Sequence, residues 1–248
     1  MLELAETDQI SALSWQVDQP VSVAPNWART LPLAWPDGER LLTLQPDYTV
    51  FASGEGGRVA ALLERADYSS FELAWGEDFE TVRENLRALG HYLGRENVAE
   101  IKIDLLEQRL EALRVRSERR GVFPRVVYLS SSGGSAGSGT YVDAAIQAVG
   151  GRNVIGGAGA VGWTRGEAEF ALTLEADLVV TSYFVDGYAS IFNRGSRHSA
   201  YEPLLDGTMR VDIPSGYWPC AGPHLIDAAE MIADALDQWA LDQGAGHQ

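Results

Sequence analysis

Apolar and polar positions along the chain follow two different periods, and the switch between them outlines the fold. Short runs rich in β-branched and apolar residues, bounded by Gly, Pro, Asp or Ser, predict strands. They are QISALSW (9–15), TVFAS (49–53), SSFELAW (69–75), RVVYLS (125–130), DLVVTSY (177–183) and TMRVDIP (208–214). Between them lie segments of helical character: ERLLTL (39–44) after Pro36-Asp37-Gly38, GGRVAALLERA (56–66), and TYVDAAIQAVG (140–150), which closes on glycine. Thr164-Arg165-Gly166-Glu167 reads as a capping box that opens a helix through Leu174. PHLIDAAEMIADALDQWALD (223–242) is a long amphipathic final helix, and the tail GAGHQ is expected to fray.

The middle of the chain differs. Phe79, Val82, Leu86, Leu89 and Leu93 stand close to helical spacing, Gly94 interrupts, and ENVAEIKIDLLEQRLEALRVRSERR continues as a long helix. Its last turns hold Arg114, Arg116, Arg119 and Arg120, which complement a helix C-terminus. Alternating strands and helices on either side argue for parallel sheets. The predicted fold class is therefore α/β. Residues 1–94 form an N-terminal lobe, 95–120 a connecting helix and 121–248 a C-terminal lobe. A repeat supports this division. ERLLTLQPDYTV (39–50) and EFALTLEADLVV (169–180) share E-x-x-L-T-L-x-x-D-x-x-V at a constant offset of 130 residues, six identities in twelve positions, each in a helix–turn–strand context. The repetition predicts two structurally related lobes.

Composition narrows the functional classes. The chain has 248 residues, 46% of them hydrophobic, enough for one large domain or two lobes. A net charge of −16 makes nucleic acid a poor partner. The single cysteine, Cys220, leaves no internal disulfide and no multi-cysteine metal site. No apolar run reaches the ~18 residues of a membrane helix. MLELAETDQISALSW has no basic region followed by an apolar core, so the sequence as given carries no signal peptide and reads as cytoplasmic.

Few motifs carry chemistry. In SSGGSAGSGT (131–140), Gly134 and Gly139 have the spacing of a phosphate loop, but Thr140 stands where that loop needs lysine. The loop is read instead as one that lets a ligand approach the backbone, a structural turn being the alternative. His91, His198, His224 and His247 show no metal-ligand spacing, and Cys220 in GYWPCAGP has no basic neighbour. No catalytic residue, resident metal or cofactor is expected. The aromatic residues say more. Trp15, Trp75, Tyr183, Phe184 and Tyr188 lie at or just past predicted strand ends, and Trp163 and Trp218 lie in Gly/Pro-containing loops. Parallel α/β folds bind ligands beyond the carboxyl ends of their strands. With Ser53, Ser132 and Gly133 from the adjoining loops, these residues make an aromatic, nearly uncharged candidate site for a bulky planar ligand.

The order of these segments resembles the substrate-binding proteins of ABC importers for cobalamin, iron–siderophore and haem-type compounds. ERLLTLQPDYTV resembles the N-lobe segment of that family, and EFALTLEADLVV its C-lobe counterpart, with Ala176 replacing the usual proline. ENLRALGHYLGRENVAEIKIDLLEQRLEAL resembles the connecting helix and its approach, VYLSSSGGSAGSGTYVDAAIQAVGGRNV the start of the C-lobe, and CAGPHLIDAAEMIADAL its final helix. The resemblance implies two Rossmann-like lobes joined by one long rigid helix, with the ligand cleft between the lobes. It further implies a monomer, no catalysis, and delivery of a small-molecule ligand, which can itself contain cobalt or iron, to an inner-membrane ABC permease. Glu39 and Glu169 match the positions that dock on the permease. The family begins with a signal peptide and a strand that have no counterpart here, so the resemblance places the true start upstream and the protein in the periplasm. Two other readings stay open: a cytoplasmic two-lobed enzyme of transferase type, and a sensor relative inactive in transport.

Overall fold

A computed structural model describes residues 1–20, 22–130, 133–165, 175–182, 201–218 and 222–245. The chain divides into two units. Met1–Gly76 and Glu80–Leu106 form the first, Glu77–Phe79 and Glu107–Gln248 the second.

The first unit holds two two-stranded parallel sheets. β1 (Leu13–Ser14) pairs with β2 (Leu33–Ala34), and β3 (Tyr48–Phe51) pairs with β4 (Ser69–Glu72). The predicted strand over 9–15 shrinks to β1. Ser14 Oγ accepts from the Gln16 amide and turns the chain at once into the 3-10 turn Trp15–Asp18. α1 (Gly38–Leu44) starts where Asp37 caps it: the Asp37 carboxylate accepts from Glu39 N at 3.0 Å. Between β3 and β4 runs α2 (Gly57–Arg65), whose Leu63 closes a small core with Leu41 and Phe51. Strands β3 and β4 are shorter than predicted because the residues beyond them are held elsewhere. Gly54 N donates to Glu72 Oε1 at 2.7 Å, and Ala74 is taken by Asn85.

α3 (Phe79–Tyr92) and α4 (Glu96–Arg120) follow. Ala99, Ile103 and Leu106, spaced as one helix face, are buried in the half of α4 that belongs to the first unit.

The second unit is built on a four-stranded parallel sheet in the order β10-β9-β5-β7: Met209–Asp212, Leu178–Ser182, Arg125–Ser130 and Arg152–Asn153. Every residue of β9 is buried, as a strand covered on both faces requires. Val127, Leu129 and Val179 pack on one face with Ile155, Tyr201 and Leu204, which come from α6 (Val154–Gly157), the residue before α7 (Glu202–Gly207), and α7 itself. α8 (Leu225–Ala245) packs against β9, β10 and α5 (Tyr141–Ala148). It runs two residues into the tail expected to fray. An antiparallel pair absent from the sequence reading, β6 (Ser135–Ala136) with β8 (Trp163–Thr164), lies inside and beyond the glycine–serine loop. Thr164, read as a cap, is in β8, and its hydroxyl donates to the Ser135 carbonyl at 3.2 Å; the helix it was expected to open lies outside the described residues.

The two copies of the repeat agree where both can be compared. β3 starts at Tyr48 and β9 at Leu178, equivalent positions, each directly after the shared aspartate, Asp47 or Asp177.

The arginines near the end of α4 do more than complement its dipole. Arg109 bridges Glu230 (2.8 Å) and Asp227 (2.5 Å) of α8, Arg116 bridges Asp234 and Asp237 (2.7 Å each), and Arg120, its side chain buried, reaches Asp237 and the Val149 carbonyl. Arg114 instead pairs with Glu111 and Glu118 on its own helix.

Candidate functional site

Strand ends gather the aromatic residues in the first unit. β1 and β2 pair in register through Ser14 and Ala34, so the next residue on each strand, Trp15 and Trp35, leaves the same sheet edge side by side. Both rings are partly exposed. The Arg40 guanidinium stands 5.0 Å over the Trp35 ring, a cation–π contact that holds the indole at the start of α1. Trp35 was missed by sequence reasoning because β2 is two residues long and too short to show a period. The signal available was a tryptophan next to Pro36-Asp37-Gly38.

Trp75, 61% exposed, follows β4. The buried Asn85 fixes the residue before it: Ala74 N donates to Asn85 Oδ1 at 2.8 Å, and Asn85 Nδ2 donates to the Ala74 carbonyl at 3.0 Å. This two-bond clamp takes the place of sheet pairing where β4 has ended. Ser53, half-buried, lies in the turn after β3 beside Gly54.

In the second unit four rings meet. Tyr128 of β5 lies edge-on to Trp163 (6.1 Å between centroids) and to Trp218 (5.9 Å); Tyr141 tilts against Trp163 (4.8 Å) and stacks on Trp218 (6.0 Å). The two tryptophans differ in exposure. Trp163 is 47% exposed, whereas Trp218 is 2% exposed and its Nε1 has no partner among the described residues. Trp218 is thus the enclosed member of the cluster and Trp163 its exposed one. Two further buried side chains, Ser182 at the end of β9 and Ser215 past β10, also have unpartnered hydroxyls among the described residues.

The described part of the glycine–serine loop makes its hydrogen bonds within its own unit. Gly133 is buried; its amide donates to the Ser130 carbonyl and its carbonyl accepts from the Tyr201 hydroxyl. A Cβ on Gly137 would lie 2.4 Å from the Ala160 carbonyl oxygen, so the glycine serves close packing. Thr140 caps α5 by accepting from Asp143 N, and the Asp143 carboxylate reaches back to Gly139 N at 3.1 Å. A second carboxylate, Glu77, accepts from Tyr141 N at 2.9 Å. The helix terminus that would cradle a phosphate thus already carries two acidic side chains, an environment that repels an anion.

Glu39 is exposed in the first turn of α1. Ser132, Glu169, Tyr183, Phe184 and Tyr188 lie outside the described residues. Among the described residues no cluster of His, Cys, Asp and Glu could hold a metal ion, and no helix is long and apolar enough to cross a membrane.

Parallel sheets in two α/β units, with a long helix shared between them in the chain, are the architecture of a two-lobed solute-binding protein. Residues 8–184, more than half of the chain, match the family model described as periplasmic binding protein, and the chain belongs to that family. Among solved structures it is similar to the periplasmic heme-binding protein HutB of Vibrio cholerae, with 16% identity over 93% of this chain and 91% of that one and a TM-score of 0.77. A periplasmic heme-binding protein from Pseudomonas aeruginosa shares 22% identity over 94% and 87%, with a TM-score of 0.73. The periplasmic vitamin B12 binding protein BtuF of Vibrio cholerae shares 18% over 94% and 89%, with a TM-score of 0.66. At these identities the likeness is one of fold. No curated protein sequence matches the chain.

Proposed function

We propose that the protein is the substrate-binding component of an ABC importer and that it captures a bulky planar metal chelate, a corrinoid or haem-type tetrapyrrole. The observation that carries this reading is the presence of exposed indoles at strand ends in each unit: Trp15, Trp35 and Trp75 in the first and Trp163 in the second. Large flat rings favour stacking on a large flat ligand. The family supplies the class of activity, and the similar solved structures include binders of heme and of vitamin B12. In this reading the protein works by binding and release outside the cytoplasm, without catalysis or a resident cofactor, and any cobalt or iron belongs to the cargo. Glu39, exposed and favoured by the α1 N-terminal dipole, docks on the permease together with Glu169.

Titration with aquocobalamin, haemin and a ferric siderophore, followed by tryptophan fluorescence, tests the ligand class. Micromolar quenching by either tetrapyrrole supports it; quenching by the siderophore alone overturns it. Reversing both charges, Glu39→Lys with Glu169→Lys, is expected to stop transport and leave ligand binding intact. Unimpaired transport removes the docking role.

A further inference from the structure

The turn between β4 and α3 holds a carboxylate whose contacts reach far along the chain. Glu77 groups with the second unit although the residues on both sides of Glu77–Phe79 belong to the first. Its Oε2 accepts from the backbone amide of Tyr141, 64 residues away, and its Oε1 accepts from Trp163 Nε1, 86 residues away, at 3.4 Å. The Tyr141 amide opens α5 and has no acceptor within that helix, so a carboxylate is the favoured partner there, by hydrogen bond and by dipole. The turn is built for this placement. A Cβ on the buried Gly76 would lie within 2.2 Å of the Thr81 side chain, and threonine is stiff at χ1, so a larger residue would displace the turn.

Trp163 needs such a partner. It sits on a two-residue strand and is 47% exposed. Tyr128 and Tyr141 contact its ring but leave the indole N–H unbonded, and a half-exposed indole held only by ring contacts keeps rotamer freedom that ligand binding would have to remove. From these contacts we infer that Glu77 is a positioning residue: its carboxylate, anchored on the first amide of α5, fixes the Trp163 indole in advance as a stacking surface for the ligand ring. The inference rests on the proposed role of Trp163 in ligand binding.

The test combines Glu77→Ala, Glu77→Gln, Trp163→Ala and the double variant Glu77→Ala/Trp163→Ala, with haemin and aquocobalamin as probes. Thermal unfolding and far-UV circular dichroism confirm folding of each. Glu77→Ala is expected to weaken binding of the quenching probe roughly tenfold. It should also remove the Trp163 signature from the near-UV circular dichroism of the ligand-free protein, identified by difference against Trp163→Ala. In the Trp163→Ala background the same change should cost almost nothing. Glu77→Gln, whose amide oxygen still accepts a hydrogen bond, should recover much of the affinity. An equal loss in both backgrounds overturns the positioning role, as does an unchanged near-UV spectrum in Glu77→Ala. Unchanged probe affinity in Trp163→Ala overturns the ligand reading beneath it, while the ligand-free spectrum still reports on Glu77 by itself.

Discussion

The two units use parallel strands in opposite ways. The second unit buries its central strands on both faces: β9 is buried throughout, and four of the six residues of β5 are buried. The first unit pairs its strands two at a time and leaves them half open, and Leu41, Phe51 and Leu63 are the buried members, among the described residues, of the core around α1 and α2. Where sheet pairing ends early, side chains take over the backbone, as Asn85 does for Ala74 and Glu72 for Gly54. The two units divide the labour. A continuous apolar sheet supplies stability and freezes its aromatic residues inside, as with Trp218. A thin sheet tied by side chains can afford to hold large rings at its rim, as with Trp15, Trp35 and Trp75.

The largest effect expected from challenging this contrast is in the cores. Leu178→Ala, at the fully buried start of β9, should cost about 4 kcal/mol, and Leu63→Ala about 3 kcal/mol, in denaturant unfolding. Hydrogen exchange should show the Leu63→Ala loss confined to amides of the first unit; a loss spread over β5 and β9 would break the contrast.

Next comes the ion-pair ladder between α4 and α8. Arg109→Met should cost about 2 kcal/mol, since it strands Asp227 and Glu230 in a partly buried site. The same site sets an acid limb. Burial pushes the Asp227 carboxyl up, but the hydrogen bonds from His224 and Arg109 outweigh it and hold the group below its ordinary range. A carboxyl with its folded pKa below its unfolded value of about 3.9 adds stability that is full above that value and is lost as the pH falls through the folded pKa. Unfolding measured from pH 6 down to pH 2 should therefore show stability falling below about pH 4, and Asp227→Asn should flatten that fall.

A smaller effect is expected at the rim. Asn85→Ala should cost about 1.5 kcal/mol, because water can replace one side of the clamp at the exposed Ala74, and it should make Trp75 more accessible to collisional quenching by acrylamide. The smallest is at Arg114, whose bridges to Glu111 and Glu118 join exposed side chains; Arg114→Ala should leave the melting temperature unchanged.

Much of the architecture was legible from the residues. Helices α1 to α5 and α8, and strands β3, β5, β9 and β10, follow from apolar period and bounding turn residues, and the repeat marks equivalent starts for β3 and β9. The strand ends were misjudged in β1, β3 and β4. There the apolar pattern runs on, but Ser14, Glu72 and Asn85 divert the backbone bonds that would extend the ladder. Trp163 and Trp218 look alike in sequence, each in a loop with glycine or proline, and both pack on Tyr128 and Tyr141, yet the fold leaves Trp163 exposed and buries Trp218.

Residue order alone set the α/β class, the long α4 helix, the equivalent starts of β3 and β9 and the net charge of −16. These depend on residue type and local period, which act within a few turns of chain. Only the tertiary structure decided that Trp15 and Trp35 leave one sheet edge together, that the arginines of α4 face the acids of α8 more than 100 residues on, and that Glu77 reaches both Tyr141 and Trp163. Those partners are chosen when distant segments close on one another. A carboxylate or an indole then settles wherever folding has left an unpaired donor or a ring within reach, and no local pattern records that position.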